Sequence, residues 1–111
     1  MPTAFVCNCD LTARRVIRAL AQQGLRVPQD VSVVGFDDYL SQDATQSLPL
    51  TTYAVDMPGM AQRATELLVA RIGGDSSPAR VEVCSGSLVE RSTVRALAGV
   101  SAQGEQPPAH P

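Results

Sequence analysis

The apolar residues in the first third of this chain follow a strand, helix, strand pattern. Residues 3–8 form a short apolar run, which predicts a buried strand that ends in polar groups. Residues 11–23 carry apolar side chains at three- and four-residue spacing, which predicts a helix with Asp10 as its N-cap and Gly24 as its end. Residues 31–36 are again apolar, which predicts a second strand covered on both faces. Such strands belong to parallel sheets, so we expect a βαβ unit with a right-handed crossover.

The second part of the chain predicts a loop, a strand and another helix. Residues 39–47 follow neither period and contain many turn formers, which indicates a surface loop. Residues 50–55 alternate as a short strand does. Asp56 as N-cap and Pro58 in the first turn then start a helix that the glycine pair at 73–74 ends.

The remaining elements follow from the same patterns. The second helix carries an apolar stripe, which we interpret as core: Met57, Met60, Ala61, Ala64, Leu67, Leu68 and Ile72. Residues 80–84 alternate and predict a half-exposed strand, which residues 88–89 extend. Pro28 is expected to keep the segment before the second strand extended. Residues 99–111 have no apolar period and indicate a disordered tail.

Composition limits what this chain does. At 111 residues it holds one small domain, and no run approaches the ~18 apolar residues that span a bilayer. The formal charge of −2, with no lysine, gives no overall attraction for nucleic acid, so we expect no DNA contact by this chain alone. Three cysteines cannot form a complete set of disulfides, which fits a reduced cytoplasm. The only histidine is His110, in the tail, so a zinc site lacks ligands, and we expect no metal and no cofactor.

Polar side chains follow both predicted strands of the βαβ unit. Asn8 and Cys9 come after the first strand, and Asp37 and Asp38 come at the end of the second. In open parallel sheets, ligands bind beyond the carboxyl ends of the strands. Carboxylate and amide groups suit the hydroxyls of a sugar or polyol, so we predict a ligand site with Asp37 as its main contact. Asn8 as a turn residue and Asp38 as a cap of the following turn are the structural alternatives.

The support for an enzymatic role of the same residues is weaker than the support for ligand binding. Cys9 near a helix N-terminus is a conceivable nucleophile, but it has no ordered histidine as its base. Asp37 and Asp38 are neighbours in an extended segment and point in opposite directions, which argues against a paired acid and base. Asp10, Asp37 and Asp38 also suggest a site for a hard cation. Capping and ligand contact, however, explain three carboxylates near strand ends equally well. We therefore expect a binding module and not an enzyme.

Three stretches carry a family resemblance: residues 5–10, residues 25–38 and residues 48–52, the last reading Leu-Pro-Leu-Thr-Thr. Together they resemble the carboxyl-terminal part of the effector-binding domain of the lactose-repressor/galactose-repressor family of bacterial transcription regulators. The resemblance covers residues 3 to about 95. It implies an α/β, partial periplasmic-binding-protein-like (type I) fold, with a parallel-sheet βαβ unit, a crossover helix and a terminal strand. We therefore expect residues 1–98 to form a partial effector-binding domain.

The resemblance also implies a function. It is the effector-binding and oligomerisation part of a cytoplasmic regulator that senses a small polar ligand such as a sugar, while DNA is bound by a helix-turn-helix that this chain lacks. The family position matching Asp37 contacts the effector. The position matching Cys9 is often an asparagine, so here either Asn8 replaces it or one hydrogen bond is lost. A fragment of a periplasmic sugar-binding transport protein of the same fold is the alternative.

Self-association is expected through two surfaces. In the resembling family the first helix contributes to a dimer interface, which here carries Arg14, Ile17 and Arg18. Family positions matching Arg14 and Arg15 are usually small or apolar, so a solvated arginine face is the alternative. The second helix crosses to another lobe in the parent fold. We therefore expect its apolar face to lack its usual cover, and the isolated chain to self-associate or to stay partly ordered.

Overall fold

A mixed sheet with a parallel βαβ unit organises the chain. The structure, a computed structural model, describes residues 1–39 and 48–99. Within them, β1, β2 and β3 are neighbouring parallel strands, and β4 runs antiparallel to β3 at the edge. The order along the chain is β1 (Ala4–Val6), α1 (Asp10–Gln22), β2 (Ser32–Asp37), β3 (Thr52–Val55), α2 (Met57–Ile72) and β4 (Gly86–Val89). The predicted α/β class with a parallel βαβ unit is confirmed.

One face of the sheet packs against α1 to form the core. The fully enclosed apolar residues are few, and half-buried side chains surround them: Cys7, Ala13, Val33 and Leu50, with Phe5, Val16, Ile17, Leu20 and Val27 packed around. The predicted apolar stripe of α1 therefore faces the sheet. The helix ends as expected, since Gly24 adopts a positive φ of 74° and the Leu25 amide returns to the Leu20 carbonyl at 3.0 Å.

The start of α1 and the segment after it differ from expectation. Cys9 is the N-cap and Asp10 is the first helical residue, so Asp10 is not the predicted cap. Pro28 lies in a turn and not in an extended segment. That turn is closed by the Asp30 amide, which donates to the Arg26 carbonyl at 2.8 Å, and by the Arg26 guanidinium, which grips the Asp30 carboxylate at 2.9 Å.

The segment after β4 is hydrogen-bonded to β2 through Thr93. Thr93 is fully buried, and its backbone carbonyl accepts from the Val33 amide at 2.8 Å. Its hydroxyl donates to the Val33 carbonyl at 2.6 Å and accepts from the Thr51 amide at 2.9 Å. Residues 91–95 therefore act as a strap that joins β2 to the segment leading into β3.

The other face of the sheet is largely open. Side chains on that face are exposed on all four strands, namely Val6, Phe36, Tyr53 and Leu88. Phe36 and Tyr53 are paired across β2 and β3 and stack with ring centroids 5.7 Å apart. The prediction that the second strand is covered on both faces is wrong at Phe36, which is 43% exposed.

The second helix forms where predicted but packs differently. Asp56 caps it by accepting from the Gly59 amide at 3.0 Å, and Gly73 is the C-cap. No residue of α2 is buried, so the interpretation of its apolar stripe as core is wrong. The strand predicted over residues 80–84 does not form, and Val81 and Val83 are 92% and 90% exposed.

Some predictions fall on positions that are not described. Apart from Tyr39, the loop predicted over residues 39–47 lies outside the described residues. The same holds for the predicted tail beyond Gly99. Neither helix in the described part combines the length and apolar character needed to cross a bilayer.

Candidate functional site

The carboxyl ends of β1 and β2 meet at one edge of the sheet. Val6 pairs with Val34 in the parallel register, so Asn8 and Cys9 leave the sheet beside the end of β2. The Asp37 carboxylate lies near enough to Cys9 for its charge to oppose a thiolate there, raising the pKa of that thiol slightly against stronger lowering effects. Asn8 is exposed and Cys9 is half-buried. The predicted site residues on β1 and β2 are therefore brought together.

Asp37 closes the turn that ends β2. Its φ is 97° and that of Asp38 is 57°, two consecutive left-handed residues without glycine. Such conformations cost about 1–3 kcal/mol each and persist only when surrounding contacts hold them. Asp37 Oδ1 accepts from the Tyr39 amide at 2.9 Å, so the turn-capping role expected for Asp38 belongs to Asp37. Among the described residues, the hydrogen bond of the Asp37 carboxylate uses only Oδ1.

Asp38 is held by an ion pair that the sequence did not reveal. Arg91 Nη1 and Nη2 donate to its two carboxylate oxygens at 2.8 and 3.2 Å. The two side chains are 25% and 19% exposed, and the carboxylate raises the pKa of Arg91 above its usual value. Arg91 Nη1 also donates to the Leu50 carbonyl at 2.9 Å, and the Arg91 amide donates to Thr51 Oγ1 at 2.9 Å. Asp38 therefore anchors the site and is less available to a ligand than Asp37.

A third carboxylate, that of Asp10, is buried near Arg91. Asp10 is 2% exposed, and its Oδ1 accepts from Thr52 Oγ1 at 2.6 Å. The positive charge of Arg91 is close enough for Asp10 to contribute to the raised pKa of that arginine. Gly35 makes room for the pair, because a Cβ there would overlap Asp10 Oδ1 and lie 2.9 Å from Leu50 Cδ2. Asp10 thus joins α1 to β3 under the polar edge.

Cys9 has an environment that favours its thiolate. The Thr12 hydroxyl lies 3.3 Å from its Sγ, and this hydrogen bond is the main cause that lowers the pKa of the thiol, with the nearby Thr12 and Leu11 amides adding to it. Cys7 is enclosed, and burial raises its pKa. All three cysteines are free, Cys84 being exposed. The described residues hold no group of three or more side chains that is suited to a metal ion.

The helix residues predicted for a dimer interface do not share one environment. Arg18 and Arg15 are exposed, as a solvated face requires, whereas Ile17 packs against the core and lines an open groove with Val27 and Leu48. Arg14 turns toward that groove and donates from Nη1 to the Leu48 carbonyl, while its buried Nε has no partner in the described part of the chain. The interface itself stays a prediction.

Comparison with known proteins shows which family this chain matches. Residues 1–94 match the periplasmic binding protein-like domain family. The HTH-type transcriptional regulator MalR of Streptomyces coelicolor is 43% identical over 97 residues, covering 87% of this chain and 28% of MalR.

Solved structures agree. A lac repressor dimer bound to operator and the anti-inducer ONPF superposes with a TM-score of 0.73 at 34% identity, covering 86% of this chain and 32% of that one. A LacI family regulator from Lactobacillus casei with bound sucrose gives 0.67 at 31% identity, covering 84% and 34%. The chain thus spans about a third of the length of the proteins it matches.

Proposed function

We propose, since this chain belongs to the periplasmic binding protein-like domain family in the form found in LacI-type transcriptional regulators, that it serves as the effector-binding part of such a regulator. One observation carries the proposal. Asn8, Cys9 and Asp37 lie at the carboxyl edge of two neighbouring parallel strands, the place where open α/β sheets bind ligands.

A sugar or related polyol is the ligand class we propose. The carboxylate of Asp37 accepts from hydroxyl groups, and the Asn8 amide both donates and accepts. The similar regulator with sucrose bound supports this class. The thiol of Cys9 donates and accepts hydrogen bonds only weakly. Asn8 therefore supplies the second polar contact with the ligand.

The whole regulator would act through closure of two lobes. A ligand that binds the closed form better shifts the population toward it, and in a dimer this changes the spacing of the DNA-binding heads. DNA contact belongs to a helix-turn-helix outside these residues, and a DNA-binding regulator works in the cytoplasm. The lac repressor dimer bound to operator supports both the dimer and the DNA target of the whole protein.

Titration followed by NMR tests the ligand site. Sucrose and lactose are added to the ¹⁵N-labelled chain, and the amides of residues 8, 9 and 37 are expected to shift in a saturable manner. Asp37→Asn removes the charged acceptor and is expected to weaken the response, whereas Asp75→Asn, a turn carboxylate bonded to the Ser77 amide at 2.9 Å, leaves it unchanged. Saturable shifts confined to α2, or none with either sugar, would rule out this site for these sugars.

The regulator assignment has its own test. The reading frame upstream of Met1 is sequenced in the source genome, and a helix-turn-helix followed by a first lobe is the expected result. A secretory leader in that position would contradict this assignment and would identify the chain as part of a transport binding protein of the same fold.

A further inference from the structure

Arg91 contacts two other parts of the chain at the base of the ligand site. Its guanidinium holds both oxygens of Asp38 and the carbonyl of Leu50, and its amide donates to the Thr51 hydroxyl. Leu50 and Thr51 precede β3, which leads to α2, while Arg91 follows β4, by which the chain returns. Arg91 therefore joins the end of β2 to the segment that enters β3 and to the segment that leaves β4.

The turn that Arg91 holds through Asp38 has an unfavourable backbone conformation. Asp37 and Asp38 both have positive φ, in a region that side chains with a Cβ rarely adopt. The hydrogen bond from the Tyr39 amide fixes Asp37, but it lies on an exposed turn. The only ion pair of this turn among the described residues is the one between Asp38 and Arg91. Without that pair, nothing described here fixes Asp38 in its left-handed conformation.

We propose that Arg91 is a positioning residue for the ligand site, which holds the Asp37 carboxylate in its binding geometry through Asp38 and couples that geometry to the segments that enter β3 and leave β4. This inference rests on the proposed function for its ligand, but not for its geometry. Lysine cannot replace Arg91, because three oxygens in two directions require the planar fork of a guanidinium.

Two sets of variants test the proposal in the full 111-residue chain. Arg91→Ala and Arg91→Lys remove or simplify the fork, and Asp38→Asn removes the charge from the opposite side while leaving the bond to the Leu50 carbonyl possible. Arg95→Ala is the matched control, since Arg95 Nε donates to the Pro28 carbonyl at 3.0 Å, away from the site. Amide exchange at Tyr39, the Asp37 and Asp38 cross-peaks, sugar affinity and global stability are measured for each.

The expected results separate positioning from stability. In all three site variants, exchange of the Tyr39 amide accelerates by about tenfold or more, the cross-peaks of Asp37 and Asp38 move, and any sugar Kd rises by a similar factor. Arg91→Lys recovers stability without recovering these signals, and Arg95→Ala changes none of them. If sugar affinity instead follows global stability across the four variants, Arg91 has only a structural role.

The two proposals fail in different ways. A wild-type chain without any sugar response, but with a Tyr39 amide that depends on Arg91, overturns the ligand and keeps the positioning role. An Asp38→Asn variant that folds and keeps wild-type Tyr39 exchange and Asp37 cross-peaks overturns the positioning role, whatever the sugar does.

Discussion

Gly35 shows how strictly a single position in β2 is constrained. A Cβ at this residue would overlap Asp10 Oδ1 and lie 2.9 Å from Leu50 Cδ2 and 3.2 Å from Thr52 Oγ1. We expect Gly35→Ala to break the buried hydrogen bond between Asp10 and Thr52 and to lower the free energy of unfolding by about 1–3 kcal/mol, the usual range for overpacking. Chemical denaturation measures the change.

Gly73→Ala is the matched control for Gly35→Ala. The nearest atoms to a Cβ at Gly73 are backbone oxygens at 3.4 Å, an ordinary contact, and its φ of −75° suits alanine. Its effect should stay within a few tenths of a kcal/mol. Equal losses in the two variants would show that the space around Gly35 relaxes freely.

The Cys9 thiol provides a prediction about pH. Because Thr12 and the helix amides lower the pKa of Cys9, its thiolate is populated at a lower pH than that of an ordinary cysteine, and its alkylation should begin at lower pH. Thr12→Val removes the largest cause and should move the rate profile back toward higher pH. Iodoacetamide rates, resolved by peptide mass spectrometry between pH 6 and about 9, measure this.

Cys7 is the internal comparison for Cys9 in the same protein. Burial raises the pKa of Cys7, so its alkylation should be slower than that of Cys9 throughout the same pH interval. A Cys9 profile unaffected by Thr12→Val would show that the hydroxyl does not stabilise the thiolate in solution.

At the site, sequence patterns locate residues better than they assign contacts. Asn8, Cys9 and Asp37 were expected together because adjacent parallel strands end at one edge, and they lie there. The partner of Asp38 was missed, since Arg91 is 53 residues away and no local period connects them. The same long-range contact occupies Asp38, while Asp37 caps the turn in its place.

Among the elements, α2 depends on its own cap more than on packing. It has no buried residue, and Asp56 accepts from the Gly59 amide at 3.0 Å. We expect Asp56→Ala to cost the helix about 0.5–2 kcal/mol, with a loss of helical shifts in its first turns and little change in the core around Val33. NMR secondary shifts separate the two effects.

Asp56→Asn is the control for the cap. Asparagine also accepts from the helix amides, so helicity should be largely retained. Simultaneous loss of α2 and of the sheet in Asp56→Ala would mean that the helix and the core unfold as one unit.

The failed strand over residues 80–84 shows where alternation misleads. Glu82 accepts from Arg63 Nε and Nη2, both at 2.6 Å, and also pairs with Arg80. These contacts place the segment against α2 by side-chain ion pairs, and no strand among the described residues pairs with it. Both helices, by contrast, form within a residue or two of the predicted bounds, because glycine stops, the helical period and the Asp56 cap of α2 are local signals.

At the scale of the whole molecule, the strap is what the sequence could not show. Thr93 supplies three hydrogen bonds to Val33 and Thr51, from a stretch with neither a strand pattern nor a cap. Burial was also overestimated, since α2 and one face of the sheet remain open. The sequence pattern indicates which side chains are apolar and favour burial. Whether they are buried depends on which other elements pack against them.

The open apolar surface of α2 leads to a prediction about assembly. Leu68 and Ile72 are 60% and 78% exposed on one side of the helix. Burying each against a second copy would contribute about 1.5–3 kcal/mol, so the isolated chain should associate. Changing both to Glu should weaken that association by about a hundredfold or more. Sedimentation velocity over a range of concentrations measures the effect. Ser76→Glu with Ser85→Glu adds the same charge at exposed positions outside the helix and should leave association unchanged. If Leu88→Glu were the variant that dissociates the chain, the open sheet face, and not α2, would be the surface that copies share.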